Sequence, residues 1–344
     1  MKIAFIHNPY YHQEFMENLD FVSNNFGVFP PLGIMYASSI IKREGHETKI
    51  FDVKAESLTK EDVIKKLKDF NPDIIGLMFI PFTASISLDW AKEIKDQLEV
   101  PIIAGNYAMI RYSEAILSND FIDFGIIGSA RETFPRFLEE WQNEKNFDGI
   151  EGLAFVRDGE VVINYPDKIT EDFKKLPWPD REEIDNSLYY SMASKERPFT
   201  IIATSYGCTF NCDFCDMGKF GYSERDPKDV VDEIEYCIQE YGIKEIDIFD
   251  RDFLIDKGKA REICEEIIER GLDIGWSCRT RVDQVDNKIL KLMKRAGCRL
   301  ILYGIESGNQ EILDKEHKGI TLDETKKALE LTRKNDIESL GFFI

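Results

Sequence analysis

Residues 200–218 read TIIATSYGCTFNCDFCDMG, an apolar β-branched run that breaks into a short loop carrying Cys208, Cys212 and Cys215. The run has the composition of a buried strand. Just beyond the loop come the signals of a helix: Asp226 as N-cap, Pro227 in the first turn, Val230, Val231, Ile234 and Ile238 on one face, and Gly242 past the end. Strand, chemistry-bearing loop and helix in that order form the repeating unit of a parallel α/β sheet, whose functional loops leave the carboxyl ends of the strands. Outward from this stretch the unit recurs, with EIDIFD, IGWSCRT, RLILYGI and ESLGFFI as later strands. Residues 198–344 are therefore expected to form a partial TIM-like (β/α) barrel. Ile344 falls inside its fifth strand, so the barrel is expected to be truncated there, incomplete at the C-terminus.

Toward the N-terminus the same alternation appears in a separate block. KIAFIH, ETKIFDV, DIIGLMF, PIIAG and DFGIIG read as strands, with helical patterns beginning near Leu32, Lys60, Ser85, Tyr112 and Arg131. Residues 1–142 are expected to be a flavodoxin-like (Rossmann-like) parallel sheet domain, which binds ligands at the carboxyl ends of its strands where strand order reverses. The loops to watch start at His7, Phe79, Gly105 and Gly128. Residues 143–197 read as the connection between the two domains, with a hairpin in GLAFVRDGEVVINY whose Asp-Gly pair favours a tight turn.

At 344 residues, two domains with separate cores are the natural expectation. No apolar run approaches the ~20 residues a membrane-spanning helix needs, and the N-terminal apolar run is too short for a signal peptide. The expected location is the cytoplasm, with no membrane insertion. The net charge of −20 argues against a broad nucleic-acid-binding surface, which requires clustered Lys and Arg, and favours a small-molecule or protein partner.

The chain holds seven cysteines. In an intracellular protein they point to metal or redox chemistry or to burial more than to a disulfide framework. Cys237 and Cys264 fall on apolar helix faces, Cys278 lies near the carboxyl end of a strand, and Cys298 has no motif spacing. Cys208, Cys212 and Cys215 stand apart. Three thiolates on one loop hold a cubane iron–sulfur cluster with one iron left open to an oxygen- and nitrogen-bearing ligand. The alternatives are a zinc site, which prefers four protein ligands although no histidine lies between His46 and His317, and simple burial, at odds with polar Asn211, Asp213 and Asp216.

The segment CTFNCDFC, with aromatic Phe214 before its third cysteine, resembles the defining motif of the radical S-adenosylmethionine (SAM) superfamily. That resemblance implies a [4Fe-4S] cluster on Cys208, Cys212 and Cys215, whose open iron chelates the amine and carboxylate of SAM. It further implies reductive cleavage of SAM to methionine and a 5'-deoxyadenosyl radical, hydrogen abstraction from a small-molecule substrate, and an electron donor such as flavodoxin or ferredoxin. By position, Phe214 belongs to the SAM site, Asp250 and Asp252 in IFDRDF match the amine site, Arg281 in TRVD the carboxylate site, and Glu306 and Ser307 in IESG the ribose site. Arg251 stands where relatives more often carry a second aspartate.

The preceding domain, with FPPLGIMYASSIIKREGHETKIFDV near its start and LPWPDR in the connection, is similar to that of the cobalamin-binding radical SAM subfamily. The resemblance implies cobalamin contacts at Asn8, Pro31, Leu32, Gly33, Thr83, Gly105, Asn106 and Gly128. Ala104-Gly105-Asn106-Tyr107 replaces a common Gly-Gly-Pro-His loop, and the Asp-x-His-x-x-Gly motif that supplies an axial histidine is absent. The function so implied is cobalamin-dependent methylation of an unactivated carbon of a small molecule. Rearrangement, cyclisation or oxidation without cobalamin is the enzymatic alternative. A non-enzymatic iron–sulfur or zinc protein is the other.

Overall fold

The computed structural model describes residues 1–9, 27–169 and 171–344. The chain divides into two compact units: residues 1–169 with Leu176–Leu188, and residues 171–175 with Tyr189–Ile344.

In the first unit, strands β1 (Lys2–His7), β2 (Glu47–Asp52), β3 (Ile74–Met78), β4 (Ile102–Gly105) and β5 (Phe124–Ile126) alternate with helices α1 (Leu32–Arg43), α2 (Lys60–Phe70), α3 (Ala84–Gln97), α4 (Ala108–Leu117) and α5 (Ala130–Gln142). The parallel strands lie in the order β2-β1-β3-β4-β5. This is the flavodoxin-like order, and it reverses between β1 and β3. Near-continuous apolar strands bury both faces. On one face Val63, Leu67, Trp90, Ile94 and Ile116 pack from α2, α3 and α4. On the other, Ile34, Met35, Phe134 and Phe137 pack from α1 and α5.

The structure departs from the sequence reading in two places. Helix α4 starts at Ala108, ahead of the expected Tyr112, and Tyr112 itself is a kink inside the helix (φ −125°, ψ 20°). The hairpin in the expected connection joins the first sheet, as β6 (Leu153–Arg157) and β7 (Glu160–Ile163) pair antiparallel beyond β5. Asp158 (φ 52°) and Gly159 (φ 82°) both take the left-handed conformation that a two-residue turn of this hand requires.

In the second unit, β8 (Phe199–Ile202), β9 (Glu245–Ile248), β10 (Gly275–Thr280), β11 (Cys298–Glu306) and β12 (Glu338–Phe343) form one parallel sheet in sequential order. Helices α6 (Pro227–Tyr241), α7 (Lys257–Glu269), α8 (Asn287–Arg295), α9 (Gln310–Lys315) and α10 (Leu322–Lys334) alternate with them. Sequential parallel order is that of an opened (β/α) barrel. Val230, Ile234, Ile246, Ile263, Trp276, Leu290 and Tyr303 pack between sheet and helices. Cys237, Cys264, Cys278 and Cys298 join this core. Asp247, between Ile246 and Ile248, is also buried and accepts a bidentate pair from Arg279 at 2.9 Å. Among the described residues no helix is long and apolar enough to cross a membrane.

The carboxyl end of β8, from which the cysteine loop departs, is anchored by a buried cation. Arg225 donates its backbone N–H to Thr204 O (2.9 Å) and Nη1 to Ala203 O (3.1 Å), and pairs with Glu233, which is 1% exposed. The same guanidinium also pairs with the half-exposed Asp229 at 2.7 Å. Losing Glu233 therefore removes the buried one of two counter-charges and costs less than the ~3–5 kcal/mol of a fully stranded charge, about 1.5–3 kcal/mol. Glu233→Ala is therefore expected to lower the stability of the second unit by that amount, read as earlier exchange of α6 and β8 amides in rising denaturant; an unchanged exchange midpoint would contradict this role.

Candidate functional site

The cysteine loop begins with a conformation only glycine accepts. Gly207 has φ 79°, and a Cβ there would lie 2.3 Å from the Gly221 carbonyl oxygen. Its neighbours Ser205 and Tyr206 pair antiparallel with Ser223 and Glu224, closing the base of the loop. Within it, Cys215 N–H donates to Cys212 O at 3.0 Å and Phe210 N–H to Cys208 Sγ at 3.5 Å. All three thiols are free and half-buried. Burial pushes the Cys208 thiol up, and Cys215 and Cys212 push it the same way. Among the described residues no three His, Cys, Asp or Glu side chains converge as the ligands of a single ion. A cubane cluster makes a different demand, since each thiolate takes its own iron.

The two acids at the end of β9 have different surroundings. Asp250 is 1% exposed, and each of its oxygens is engaged. Oδ1 accepts from the N–H groups of Thr204 (2.7 Å) and Ser205 (3.1 Å), while Oδ2 accepts from the Thr204 hydroxyl and from Ser205 Oγ (2.9 Å). Asp250 thereby ties the end of β9 to the end of β8. Asp252, 2% exposed, accepts from Thr280 Oγ1 (2.6 Å) and Leu254 N–H (3.1 Å) on Oδ1 alone. Its Oδ2 is buried without a hydrogen-bond partner. Burial raises the pKa of both carboxyls against the pull of their hydrogen bonds. A buried acceptor left open beside the loop is an unmet demand for a donor.

Arg281, just beyond β10, turns onto the loop. Its guanidinium pairs with Asp283 (2.9 and 3.0 Å), stacks 3.9 Å from the Phe210 ring centre and lies 3.9 Å from Cys212 Sγ. Glu306, closing β11, holds φ 63° and accepts from Lys318 Nζ at 2.7 Å. Ser307 Oγ accepts from Asn309 N–H at 3.2 Å. The Phe214 ring lies 5.8 Å from Lys318 Nζ. Phe210, Thr204, Ser205, Thr280 and Lys318 escaped the sequence reading. Their residue types are common at loop ends, and only Lys318, in the polar run KEHKGIT, carries a charge that could have drawn notice.

In the first unit, the residues singled out lie at the carboxyl edge of the sheet or beside it. Asn8, just past β1, is 3% exposed, and its Oδ1 lacks a hydrogen-bond partner. Pro31 precedes α1 and accepts Met35 N–H at 3.0 Å, while Leu32 and Gly33 open the helix. A Cβ at Gly33 would meet Asn106 Nδ2 at 3.3 Å. Asn106 is in the left-handed region (φ 83°), as is Gly128 (φ 88°). Gly105 borders open space, with nothing within 4 Å of a Cβ placed there. Thr83 is buried, its hydroxyl donating to Ile80 O at 3.4 Å. The side chain of His7 pairs with Asp52 at 3.1 Å. An open backbone edge around an unsatisfied buried amide suits a large ligand bearing polar substituents.

Residues 202–344 match the radical SAM superfamily and residues 20–138 the B12 binding domain. The chain is 32% identical over 324 residues to an uncharacterized methyltransferase of Pyrococcus horikoshii, across 92% of this chain and 69% of that protein. It is 29% identical over 363 residues to the anaerobic magnesium-protoporphyrin IX monomethyl ester cyclase of Rubrivivax gelatinosus, across 100% of this chain and 62% of that one. Its fold is similar to that of the cobalamin-dependent SAM radical enzyme OxsB, with a TM-score of 0.81 at 22% identity over 100% of this chain and 49% of OxsB. It is also similar to the radical SAM methyltransferase TsrM of Kitasatospora setae, with a TM-score of 0.77 at 17% identity over 99% of this chain and 67% of TsrM. The chain thus spans from 49% to 69% of the length of these proteins. The cysteine motif, the two sheets and this relatedness across nearly the whole sequence agree: the chain belongs to the radical SAM superfamily, in the group that carries a B12-binding domain ahead of the radical SAM domain.

Proposed function

We propose that this chain is the cofactor-binding part of a cobalamin-dependent radical SAM enzyme that methylates an unactivated carbon of a small molecule. The observation that carries the reading is the shared carboxyl edge of the second sheet, where three free thiols, the open oxygen of Asp252, Arg281 and Glu306 stand at the ends of the successive strands β8, β9, β10 and β11. When bound, a [4Fe-4S] cluster supplies the electron that splits SAM, and cobalamin supplies methyl-transfer chemistry.

The chain's own residues have separable tasks in this reading. Cys208, Cys212 and Cys215 hold the cluster. Asp252 accepts the SAM ammonium through its unpartnered Oδ2, a charge-assisted bond in a site with little water. Asp250, its acceptor positions taken, fixes the two strand ends that set the depth of the loop. Arg281 contributes positive charge near the thiolates, and Glu306 and Ser307 line the ribose side. In the first unit, Asn8, Gly33, Gly105, Asn106 and Gly128 receive the corrin, with Pro31, Leu32 and Thr83 shaping its rim. A reductant such as flavodoxin or ferredoxin is the expected electron donor, and the cytoplasm is the expected location. Ring formation rather than methylation is the second reading, favoured by the similarity to a cyclase along the whole chain.

Three outcomes are expected. After anaerobic reconstitution and dithionite reduction, the wild-type chain converts SAM to 5'-deoxyadenosine by mass spectrometry, and Cys212→Ala gives no product above background. Asp252→Asn, which exchanges a charged acceptor for a neutral one, weakens SAM binding in equilibrium dialysis by about 10- to 100-fold, the equivalent of 1.5–3 kcal/mol. Asp250→Asn instead lowers the unfolding midpoint, and equal effects of the two on SAM affinity would refute this division of labour. Gly105→Leu adds a side chain where the site is open, so corrin affinity by absorbance falls about tenfold or more with little change in stability; undiminished corrin uptake would remove cobalamin from that edge.

A further inference from the structure

Four of the six residues joining α9 to α10, Glu316-His317-Lys318-Gly319, each touch the cysteine loop or its neighbours. Glu316 O accepts the Asp213 N–H at 3.1 Å. His317 Nδ1 lies 2.8 Å from Asp213 Oδ2, both side chains being exposed. Lys318 is 7% exposed and places Nζ between Glu306 Oε1 (2.7 Å) and the Phe214 ring (5.8 Å). Gly319 O accepts from Arg281 Nη2 at 3.4 Å, and the same guanidinium covers Phe210 and approaches Cys212 Sγ.

These contacts fall between the cysteines. Phe210 lies between Cys208 and Cys212, and Asp213 and Phe214 lie between Cys212 and Cys215. Within the loop the Cys215 N–H to Cys212 O bond fixes one turn, and the contacts from outside hold Phe210, Asp213 and Phe214, the residues between the thiols. A lysine amphipathic enough to bury its stem while its head meets a carboxylate and a ring is suited to that task.

We propose that segment 316–319 is a clamp on the cysteine loop, with Lys318 as the positioning residue that ties the loop to Glu306 and sets the charge beside the cluster. The proposal rests on the cluster-binding reading above. It assigns two measurable duties to Lys318. In the chain without metal, it restricts opening of residues 209–216. In the loaded chain, its ammonium stabilises the added electron, because a nearby cation raises the potential of an iron–sulfur centre.

The test uses the full chain with and without reconstitution. Variants are Lys318→Met, Lys318→Arg, His317→Ala and, as control, Lys315→Met, whose exposed side chain pairs with Glu311 away from the loop. Hydrogen exchange of the metal-free chain at residues 209–216 is expected to quicken about tenfold in Lys318→Met, the effect of losing one charged contact of about 1.4 kcal/mol. It should quicken less in His317→Ala and not at all in Lys315→Met. Poised titration followed by electron paramagnetic resonance is expected to show a lower cluster potential in Lys318→Met and a restored one in Lys318→Arg. Unchanged exchange in both clamp variants, equal change in the control, or an unmoved potential in Lys318→Met would overturn the proposal. If Lys318→Met does not fold, the exposed His317→Ala decides on exchange. Failure of the wild-type chain to take up iron would defeat the cluster reading, and the metal-free exchange result would still judge the clamp as a structural device.

Discussion

Parallel pairing is the constraint from which the rest of this protein follows. A parallel strand cannot hairpin into its neighbour, so the chain must cross back along a helix, and every loop that leaves a strand's end emerges on the same edge. In the second unit that rule brings Cys208, Asp252, Arg281 and Glu306 to one edge of β8 to β11, although each belongs to a different strand-helix unit. In the first it brings Asn8, Gly105 and Gly128 to one edge around the reversal between β1 and β3.

What happens at the edge of the second unit is governed by desolvation. Asp250, Asp252, Arg281 and Lys318 are all at least nine-tenths buried, and buried charge is tolerated only where partners are supplied. Asp250 meets four donors, Arg281 meets Asp283 and a ring, and Lys318 meets Glu306 and another ring. Asp252 has one oxygen satisfied and one not. The site is thus mostly self-complementary, which holds its loops still, with the buried Asp252 Oδ2 left open beside the thiols among the described residues. Such an arrangement favours an incoming cation more than a neutral group.

Much of this was readable in advance. Alternating β-branched and amphipathic segments indicated both sheets, because period and length differ between strand and helix, and the Asp226-Pro227 start and Gly242 stop of α6 are chemical signals of a helix end. The tight spacing of the cysteines was visible because its ligand set is local. The kink at Tyr112 was not legible, since nothing in the residue type requires it. Nor was the docking of the 153–163 hairpin onto the first sheet, since turn chemistry specifies a hairpin without naming the edge it joins.

The division between Asp250 and Asp252 shows where sequence ran out. Two aspartates in IFDRDF have the same chemistry and nearly the same position. Only the fold decides that Thr204 and Ser205, from the preceding strand's end, saturate the first and that Thr280 meets half of the second. Lys318 is a parallel case, an ordinary lysine in a polar run until β11 and the cysteine loop close on it. Composition, periodicity and local motif were enough to establish the two sheets, their order along the chain and the three thiols, because those depend on neighbours in sequence. Which acid stays open and which cation is buried depends on donors brought from distant segments, and that was settled by three-dimensional packing alone.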